Sequence, residues 1–350
     1  MAVSSNVARV LAALVAATSV ASADPVADFY RGKQVQIYVG YGAGGGYDAY
    51  ARLIARHLGR HIPGEPRVVV QNMPGAGSLR AANFIFNRAP NDGTAWATFG
   101  RNMIMLGLLG GNSNVQFDPR RFTWLGSPSS EQDDAYMLLA RKDAQAKTLA
   151  EARAPGGPPL LLGGTADGST ETDIALLMKR TAGLNVKIIS GYPDSNAINI
   201  ALDRSELEGR FIGLSAVAST RPEWLKPGSI MQPLMQFARA TRHPRFADTP
   251  TARELARDEP GRQLIELAET PYLLSRPYVG PPDVPPDRAK ALQSAFADTF
   301  KDPQFLADAA KLQVDISPVG PQEALRMLDR VAQAPADLKE EIRTLQSNAP

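Results

Sequence analysis

The sequence has no cysteine, only three histidines, and nearly equal numbers of basic and acidic residues. Without cysteine, the chain can form neither a disulfide nor a lipid anchor through a thiol. Three histidines leave few candidates for a general base in catalysis. Because 38 Lys and Arg residues are offset by 36 Asp and Glu residues, the overall charge favours neither nucleic acid nor a membrane surface as a partner.

Long apolar runs are also missing, apart from one near the N-terminus. Residues 10–20 are apolar but fall short of the ~20 residues needed to span a bilayer. Arg9 precedes this segment, and Ala21, Ser22 and Ala23 follow it in the small-residue pattern of a signal-peptide cleavage site. We expect residues 1–23 to be a signal peptide, cleaved after Ala23, and the mature protein to be periplasmic. The alternatives are a short membrane anchor or a buried helix.

The remaining chain is long enough for two domains and alternates strand-like with helix-like segments. The full sequence of 350 residues has 44% hydrophobic content, which is enough to bury a sizeable core. A unit of strand, small-residue loop and helix begins near Gln34 and recurs in the middle of the chain near Pro159. This recurrence predicts an α/β fold of two similarly built lobes with mostly parallel sheets. From Pro277 onward, prolines stand near the starts of successive predicted helices.

A burst of glycines between a predicted strand and a predicted helix is the most conspicuous local feature. Residues 40–45 have the G-x-G-x-x-G spacing of dinucleotide-binding loops. That function also needs an acidic residue at the end of the second strand, where Gln71 and Asn72 stand instead. The spacing therefore does not favour a nucleotide. A tight turn before a helix still exposes amides that attract an anion such as a carboxylate, and Asp48 is expected to cap the turn.

Several motifs, taken in order, resemble the tripartite tricarboxylate transporter substrate-binding proteins. They read VGYGAGGGYDAYARLIARHL, VVVQNMPGAGSLRAANFI and APNDGTAWATFG, and the stretch RPYVGPPDVPPDRAKALQSAFADTFKDPQFL is similar to the family's C-terminal helices. The resemblance implies a two-domain α/β periplasmic-binding-protein fold, type II-like, with a ligand cleft between the lobes and two hinge crossovers. It also implies a receptor that captures an organic anion, usually a carboxylate, and delivers it to membrane permease subunits.

The same resemblance implies which residues bind the ligand. Tyr41 takes the family's aromatic position and would pack over the ligand, while backbone amides from loops of both lobes would hold its carboxylate. The expected ligand-binding residues are Tyr41, Gly42, Ala43, Gly44, Gly45, Gly46, Asp48, Ala76, Gly77, Ser78, Thr165, Ala166, Asp167, Gly168, Ser169, Thr170, Ser195 and Asn196.

The expected domain organisation follows the two-crossover pattern of such receptors. Residues 24–126 and 237–350 would form domain I, and residues 127–236 would form domain II. The hinge would lie where the chain crosses, near residues 126–133 and again near residues 232–238. We expect a monomer.

The second-lobe loop departs from the family pattern because it carries acidic residues. Asp167, Glu171 and Asp173 stand where a carboxylate would be received, and like charges desolvated together are costly. One interpretation is that all three are solvated side chains in the first turn of a helix. The other is a ligand that carries an amine or several hydroxyls as well as, or instead of, a second carboxylate. The sequence leaves both open.

Residues that could serve catalysis or bind a metal are few. His57 and His61 lie four apart on a helical segment, a spacing that can bind metal, but no third ligand accompanies them. Serines beside glycine do not complete G-x-S-x-G. We therefore expect no metal, no cofactor and no enzymatic activity. Two alternatives to transport stay open: a sensory module that reports ligand occupancy to a membrane kinase, and a secreted α/β enzyme that uses the cleft.

Overall fold

The computed structural model of the chain describes residues 24–130, 135–166 and 168–347. The predicted signal peptide and Asp167 lie outside these ranges. Within them, the chain builds two five-stranded sheets flanked by helices. We refer to each sheet with the helices packed on it as the first lobe and the second lobe.

The first lobe is built on a mixed sheet. Its strands are β1 (Gln34–Val39), β2 (Arg67–Asn72), β3 (Ala95–Thr98), β4 (Thr123–Gly126) and β10 (Tyr278–Gly280). They lie in the order β2-β1-β3-β10-β4, in which β1 is parallel to both its neighbours and β10 is antiparallel to β3 and β4. Val35, Ile37 and Val39 are buried at alternate positions of β1, as expected for a strand that fills the core on one face.

The second lobe repeats this arrangement. Its strands are β5 (Tyr136–Arg141), β6 (Leu160–Gly163), β7 (Val186–Ile189), β8 (Gly209–Gly213) and β9 (Met231–Phe237). They lie in the order β7-β6-β8-β5-β9, with β5 antiparallel to β8 and β9. The fourth strand in the order of each sheet, β10 or β5, therefore runs antiparallel to both its neighbours, and the predicted two-lobed α/β fold is confirmed.

Helices follow the strands as the hydrophobic pattern predicts. The first part of the chain forms α1 (Pro25–Tyr30), α2 (Gly46–Leu58), α3 (Leu79–Asn87) and α4 (Asn102–Leu109). The middle forms α5 (Leu149–Ala152), α6 (Thr170–Ala182), α7 (Ser195–Asp203), α8 (Leu214–Thr220), α9 (Ala252–Leu255) and α10 (Glu259–Glu269). The last part forms α11 (Pro286–Thr299), α12 (Pro303–Lys311), α13 (Pro321–Ala332) and α14 (Ala336–Ser347). Proline occupies the first helical position of α11, α12 and α13, where its missing N–H costs little.

The chain crosses from the first lobe to the second after β4 and returns before β10. After β9, Gln236 pairs with Thr251 in a parallel bridge, and both α9 and α10 pack against α6 of the second lobe. We therefore propose that the second crossing lies at Leu274 and Ser275, just before Arg276 and β10, later in the chain than the predicted boundary at residue 237. The predicted first crossing near residues 126–133 is described only as far as residue 130.

The two lobes share part of their hydrophobic core. One cluster joins Phe99 and Leu106 of the first lobe to Met178 and Phe237 of the second. The C-terminal helix α14 strengthens this connection because it packs against α4, α6 and α10. Among the described residues, we find no helix with the length and apolar character needed to cross a membrane.

Candidate functional site

A cavity lies between the lobes at the ends of the strands where the glycine-rich loops meet. The first lobe contributes Tyr41, Gly45, Gly46, Tyr47, Arg101 and Arg276 to its lining. The second lobe contributes Tyr136, Thr165, Glu171, Ser195, Arg210 and Gly213, among others. Among the described lining residues, three arginines thus accompany a single carboxylate.

Arg276 precedes β10 and is 1% exposed. Its guanidinium donates to Ser129 Oγ at 3.0 Å, on the first crossing, and to Ser215 Oγ at 2.8 Å, on the second lobe. The guanidinium carbon also lies 4.0 Å from the centre of the Tyr50 ring, in cation–π geometry. Arg276 therefore connects the two lobes directly at the cavity wall.

Arg210 on β8 is the arginine that the second lobe contributes, and it is 2% exposed. It donates to the Ser195 carbonyl at 2.7 Å, to Ser195 Oγ at 2.8 Å and to Asn199 Oδ1 at 2.5 Å. Burial lowers the pKa of Arg210 from its ordinary value, and the charge of Glu171 opposes that shift. A guanidinium remains protonated in proteins, so this side chain is a fixed positive charge.

Arg101, the third arginine, follows β3 and is 2% exposed. Its guanidinium carbon lies 4.8 Å from the centre of the Tyr136 ring and 4.9 Å from that of Tyr272. Burial raises the pKa of both tyrosines well above the ordinary value, so their hydroxyls stay protonated and neutral. Three buried cations therefore converge on one cavity, an arrangement that favours an anionic ligand.

Glu171, in the first turn of α6, is the acidic residue at this site and is 7% exposed. One of its oxygens accepts hydrogen bonds from the Thr165 amide at 2.9 Å and from the Thr165 hydroxyl at 2.6 Å. The interpretation of a solvated side chain is therefore wrong for Glu171. Asp173 is partly buried, and Asp167 lies outside the described residues.

The first glycine loop presents amides to the cavity at only some of the predicted positions. Gly45 has extended backbone at the start of α2, no side chain caps this helix start, and Gly45 and Gly46 line the cavity. The Gly44 amide is instead held by Asp48 Oδ2 at 2.9 Å. Although burial opposes it, hydrogen bonds from Arg52, Gly44 and Asn72 lower the pKa of Asp48. Asp48 therefore caps the loop, as its position in the sequence predicts.

The second glycine loop and the start of α6 hold the lobes together. Gly77 lies against Ser169 of the other lobe, where an added Cβ at Gly77 would come within 3.1 Å of Ser169 Cβ. Asn102 donates to the Gly168 carbonyl, and Thr170 Oγ1 donates to Asn102 Oδ1 at 2.9 Å. These contacts close the cleft beside the cavity.

The predicted site residues divide according to their place in this arrangement. Those that line the cavity are Tyr41, Gly45, Gly46, Thr165 and Ser195. Those that form contacts beside it are Gly42, Asp48, Gly77, Ser78, Gly168, Ser169 and Thr170. Ala43, Gly44 and Ala76 are exposed, while Ala166 and Asn196 are half-buried. Ser78, predicted to bind the ligand, instead donates its hydroxyl to the Gly40 carbonyl at 3.1 Å.

The three arginines were not among the residues predicted from the sequence. Arg210 stands alone in an apolar strand, and a lone charge in such a run is a signal that could have identified it. Arg101 and Arg276 lie next to strands of the first lobe, and their convergence depends on how the lobes fold together. Tyr47 and Tyr136 were missed for the same reason.

The histidine pair has a structural explanation. His57 Nε2 lies 3.1 Å from Asp308, and His61 Nε2 lies 2.9 Å from Asp302 at the start of α12. Both therefore tie α2 and the turn after it to the C-terminal helices. In residues 24–130, 135–166 and 168–347, no group of three potential metal-ligating side chains comes together.

The chain is similar to known proteins in its three-dimensional structure. No protein-family model matches the sequence, and no curated protein matches it. MatC from Rhodopseudomonas palustris with bound malate is 19% identical, with a TM-score of 0.64, over 91% of this chain and 99% of that one. A protein from R. palustris with adipate is 21% identical, with a TM-score of 0.68, over 91% and 98%.

A third similar structure is a TctC solute-binding protein from Polaromonas without ligand. It is 19% identical to this chain, with a TM-score of 0.57, over 90% of this chain and 99% of that one. At these identities the comparisons establish the fold. The chain thus has the two-domain fold of the periplasmic solute-binding proteins.

Proposed function

We propose that this protein is a periplasmic receptor that captures a small organic acid between its lobes. The observation that carries the proposal is the convergence of buried guanidinium groups from both lobes on one cavity: Arg101 and Arg276 from the first lobe and Arg210 from the second. An acid bound there would contact both lobes at once. Its binding would therefore stabilise the closed arrangement, as expected for a receptor that closes on its ligand.

The energetics agree with this assignment. A hydrogen bond to a charged group contributes about 1.5–3 kcal/mol, and micromolar affinity requires about 8 kcal/mol. About three to five such bonds are needed, and the three guanidinium groups together with the first amides of α2 can supply them. Because the lobes close around the cavity, water competes weakly for these donors.

The receptor is proposed to belong to the tripartite tricarboxylate transporter system. The motifs of the sequence support this family, and the similar structures include a TctC solute-binding protein and proteins with bound malate and adipate. On this proposal the ligand is a small dicarboxylate, Tyr41 packs over it, and the loaded receptor docks on the membrane permease as a monomer. The chain binds and releases its ligand without chemical change.

Calorimetry on the mature chain, residues 24–350, tests the proposal. Unbranched dicarboxylates of four to six carbons are titrated, with the matching monocarboxylates and diamines as controls. We expect at least one dicarboxylate to bind with micromolar or tighter affinity and to be recovered chemically unchanged. The diamines are expected to give no heat of binding. Equal binding of diamines and dicarboxylates, or turnover of the bound acid, would overturn the proposal.

Export is tested separately. The full-length chain, expressed in a Gram-negative host, is expected in the periplasmic fraction with Asp24 as its first residue, measured by intact mass. Recovery of the uncleaved chain in the membrane fraction would favour an N-terminal anchor instead.

A further inference from the structure

We propose that Glu171 selects a dicarboxylate that carries a hydroxyl, so that the guanidinium groups hold the two acid groups and Glu171 accepts the hydroxyl hydrogen. This inference rests on the proposed function, because it refines which acid the cavity takes. It differs from recognition by backbone amides alone, since amides of the glycine loops do not distinguish a hydroxylated acid from a plain one.

The Glu171 carboxylate uses one oxygen within its own lobe and can offer the other to a ligand. The side chain is 7% exposed and lines the cavity. Both of its hydrogen bonds from described residues, from the Thr165 amide and hydroxyl, go to Oε1. Oε2 is thus left for the cavity. An ionised carboxylate only accepts hydrogen bonds, so the ligand group that meets Oε2 has to be a donor.

The balance of charges in the cavity also favours a hydroxylated dianion. Among the described residues of the lining, Arg101, Arg210 and Arg276 carry three positive charges and Glu171 one negative charge. A dianion with a hydroxyl neutralises this set and satisfies Glu171. A plain dianion neutralises the set but places C–H groups against a buried carboxylate, which loses its hydration without compensation. An amino dicarboxylate supplies a donor but leaves one positive charge unbalanced.

Glu171 and Arg210 both line the cavity. Both belong to the second lobe, and the charge of Glu171 acts on Arg210. A 2-hydroxy acid has its hydroxyl and one carboxylate on adjacent atoms. Such a pair fits a site where a carboxylate acceptor and a guanidinium donor of the same lobe line the cavity, with Arg101 and Arg276 of the first lobe for the second acid group.

The experiment compares matched ligands on the mature chain by calorimetry. Each set contains a plain, a 2-hydroxy and a 2-amino dicarboxylate of the same length: succinate, malate and aspartate, then the five-carbon and six-carbon equivalents, with both enantiomers. We expect the hydroxylated member of the best-fitting length to bind about 10- to 100-fold more tightly than the plain member, the range for a hydrogen bond to a charged group.

Two variants assign that preference to a residue. Glu171→Gln is expected to reduce the preference for the hydroxyl to a few-fold or less. Glu208→Gln is the matched control, because Glu208 lies in the same lobe and accepts backbone N–H groups of Gln145 and Leu161 away from the cavity. It is expected to leave the preference unchanged.

The outcomes separate this inference from the proposed function. Equal affinity for plain and hydroxylated acids in the unmodified chain overturns the inference while the receptor assignment stands. A preference that survives Glu171→Gln, or tighter binding of the amino member, also overturns it. If no dicarboxylate of any set binds, the proposed function itself fails and the inference fails with it. The comparison on the unmodified chain decides the matter even if Glu171→Gln does not fold.

Discussion

In each of the two loops that face each other across the cleft, an acidic side chain accepts a backbone amide hydrogen bond. The two acids differ in the charge that they add to the site. In the first lobe, Asp48 accepts the Gly44 amide at 2.9 Å from the first turn of α2. In the second lobe, Glu171 accepts the Thr165 amide at 2.9 Å from the first turn of α6. Each acid therefore fixes the loop that precedes its own helix.

The two acids differ in what surrounds them. Asp48 is paired with Arg52 at 2.9 Å and accepts from Asn72 at 2.9 Å, so its charge is balanced locally. Glu171 receives its hydrogen bonds on one oxygen from Thr165 and lines the cavity with Arg210. The comparison teaches that one loop cap is purely structural, while the other also adds a charge to the site.

The largest expected effect comes from removing the arginine that the second lobe contributes to the cavity together with Glu171. Arg210→Gln removes a buried cation from the second-lobe wall, and we expect dicarboxylate affinity to fall by about 100-fold or more, since charge-assisted bonds contribute about 1.5–3 kcal/mol each. Calorimetry measures the loss.

Arg141→Gln is the matched control for this change. Arg141 is also a buried arginine of the second lobe, but it pairs with Asp143 at 2.7 Å and lies away from the cavity. An equal loss of affinity in both variants would show that the effect comes from stability of the lobe and would contradict the role of Arg210.

A second prediction concerns pH and uses a third acid with the opposite pKa shift from Asp48. Burial raises the pKa of Glu269 to about 7, against the lowering effects of Arg253 and of the Ala238 amide. Between about pH 4.5 and 7, Glu269 therefore keeps a proton in the folded state that it releases in the unfolded state. The contribution of this proton to the unfolding free energy is lost as the pH rises from about 4.5 to 7. We expect Glu269→Gln to remove a pH-dependent part of the unfolding free energy of about 2–3 kcal/mol.

Denaturant unfolding at pH 5 and pH 8 measures this contribution. Asp48 provides the contrast, because its lowered pKa predicts a pH dependence of opposite sign. Its contribution to the unfolding free energy is present at neutral pH and is lost as the pH falls below the ordinary pKa of an aspartate. A Glu269→Gln variant with the same pH dependence as the unmodified chain would contradict the account.

A third prediction tests the structural role of the first-lobe cap. Asp48→Asn removes the charge that holds Gly44 and Asn72, and we expect the unfolding free energy to fall by about 1–2 kcal/mol. Arg52 is half exposed, so its ion pair with Asp48 adds little to this loss. The ratio of affinities for hydroxylated and plain acids is expected to stay constant. A changed ratio would contradict the division of roles between the two loops.

The smallest expected effect concerns the contact that closes the cleft. Thr170→Val removes the hydroxyl that donates to Asn102 at 2.9 Å, and we expect affinity to fall by about 3- to 10-fold, corresponding to about 1 kcal/mol of lost hydrogen bonding between the lobes. Thr181→Val is the control on the same helix, because the Thr181 hydroxyl bonds the Leu177 carbonyl within α6. Equal effects of the two substitutions would show that the lobe contact carries no binding energy.

The sequence predicted those features that local spacing determines. The glycine burst, the capping position of Asp48 and the prolines at helix starts follow from the conformational preferences of single residues. The alternation of strands and helices was enough to predict two similarly built lobes.

Features that depend on tertiary packing could not be predicted from the sequence. Arg101 and Arg276 meet at the cavity only because β3 and β10 are neighbours in the folded sheet. The later second crossing that we propose follows from the packing of α10 against α6, and no change of sequence composition marks such a boundary. Glu171 could be seen in the sequence, but its burial could not be predicted.

The most direct test is a crystal structure of the mature chain with the dicarboxylate that binds most tightly. The account predicts acid oxygens within about 3.2 Å of guanidinium nitrogens from both lobes, Arg210 on one side and Arg101 or Arg276 on the other. An acid held by the backbone amides of residues 44–46 and 168–170, without any guanidinium contact, would contradict it.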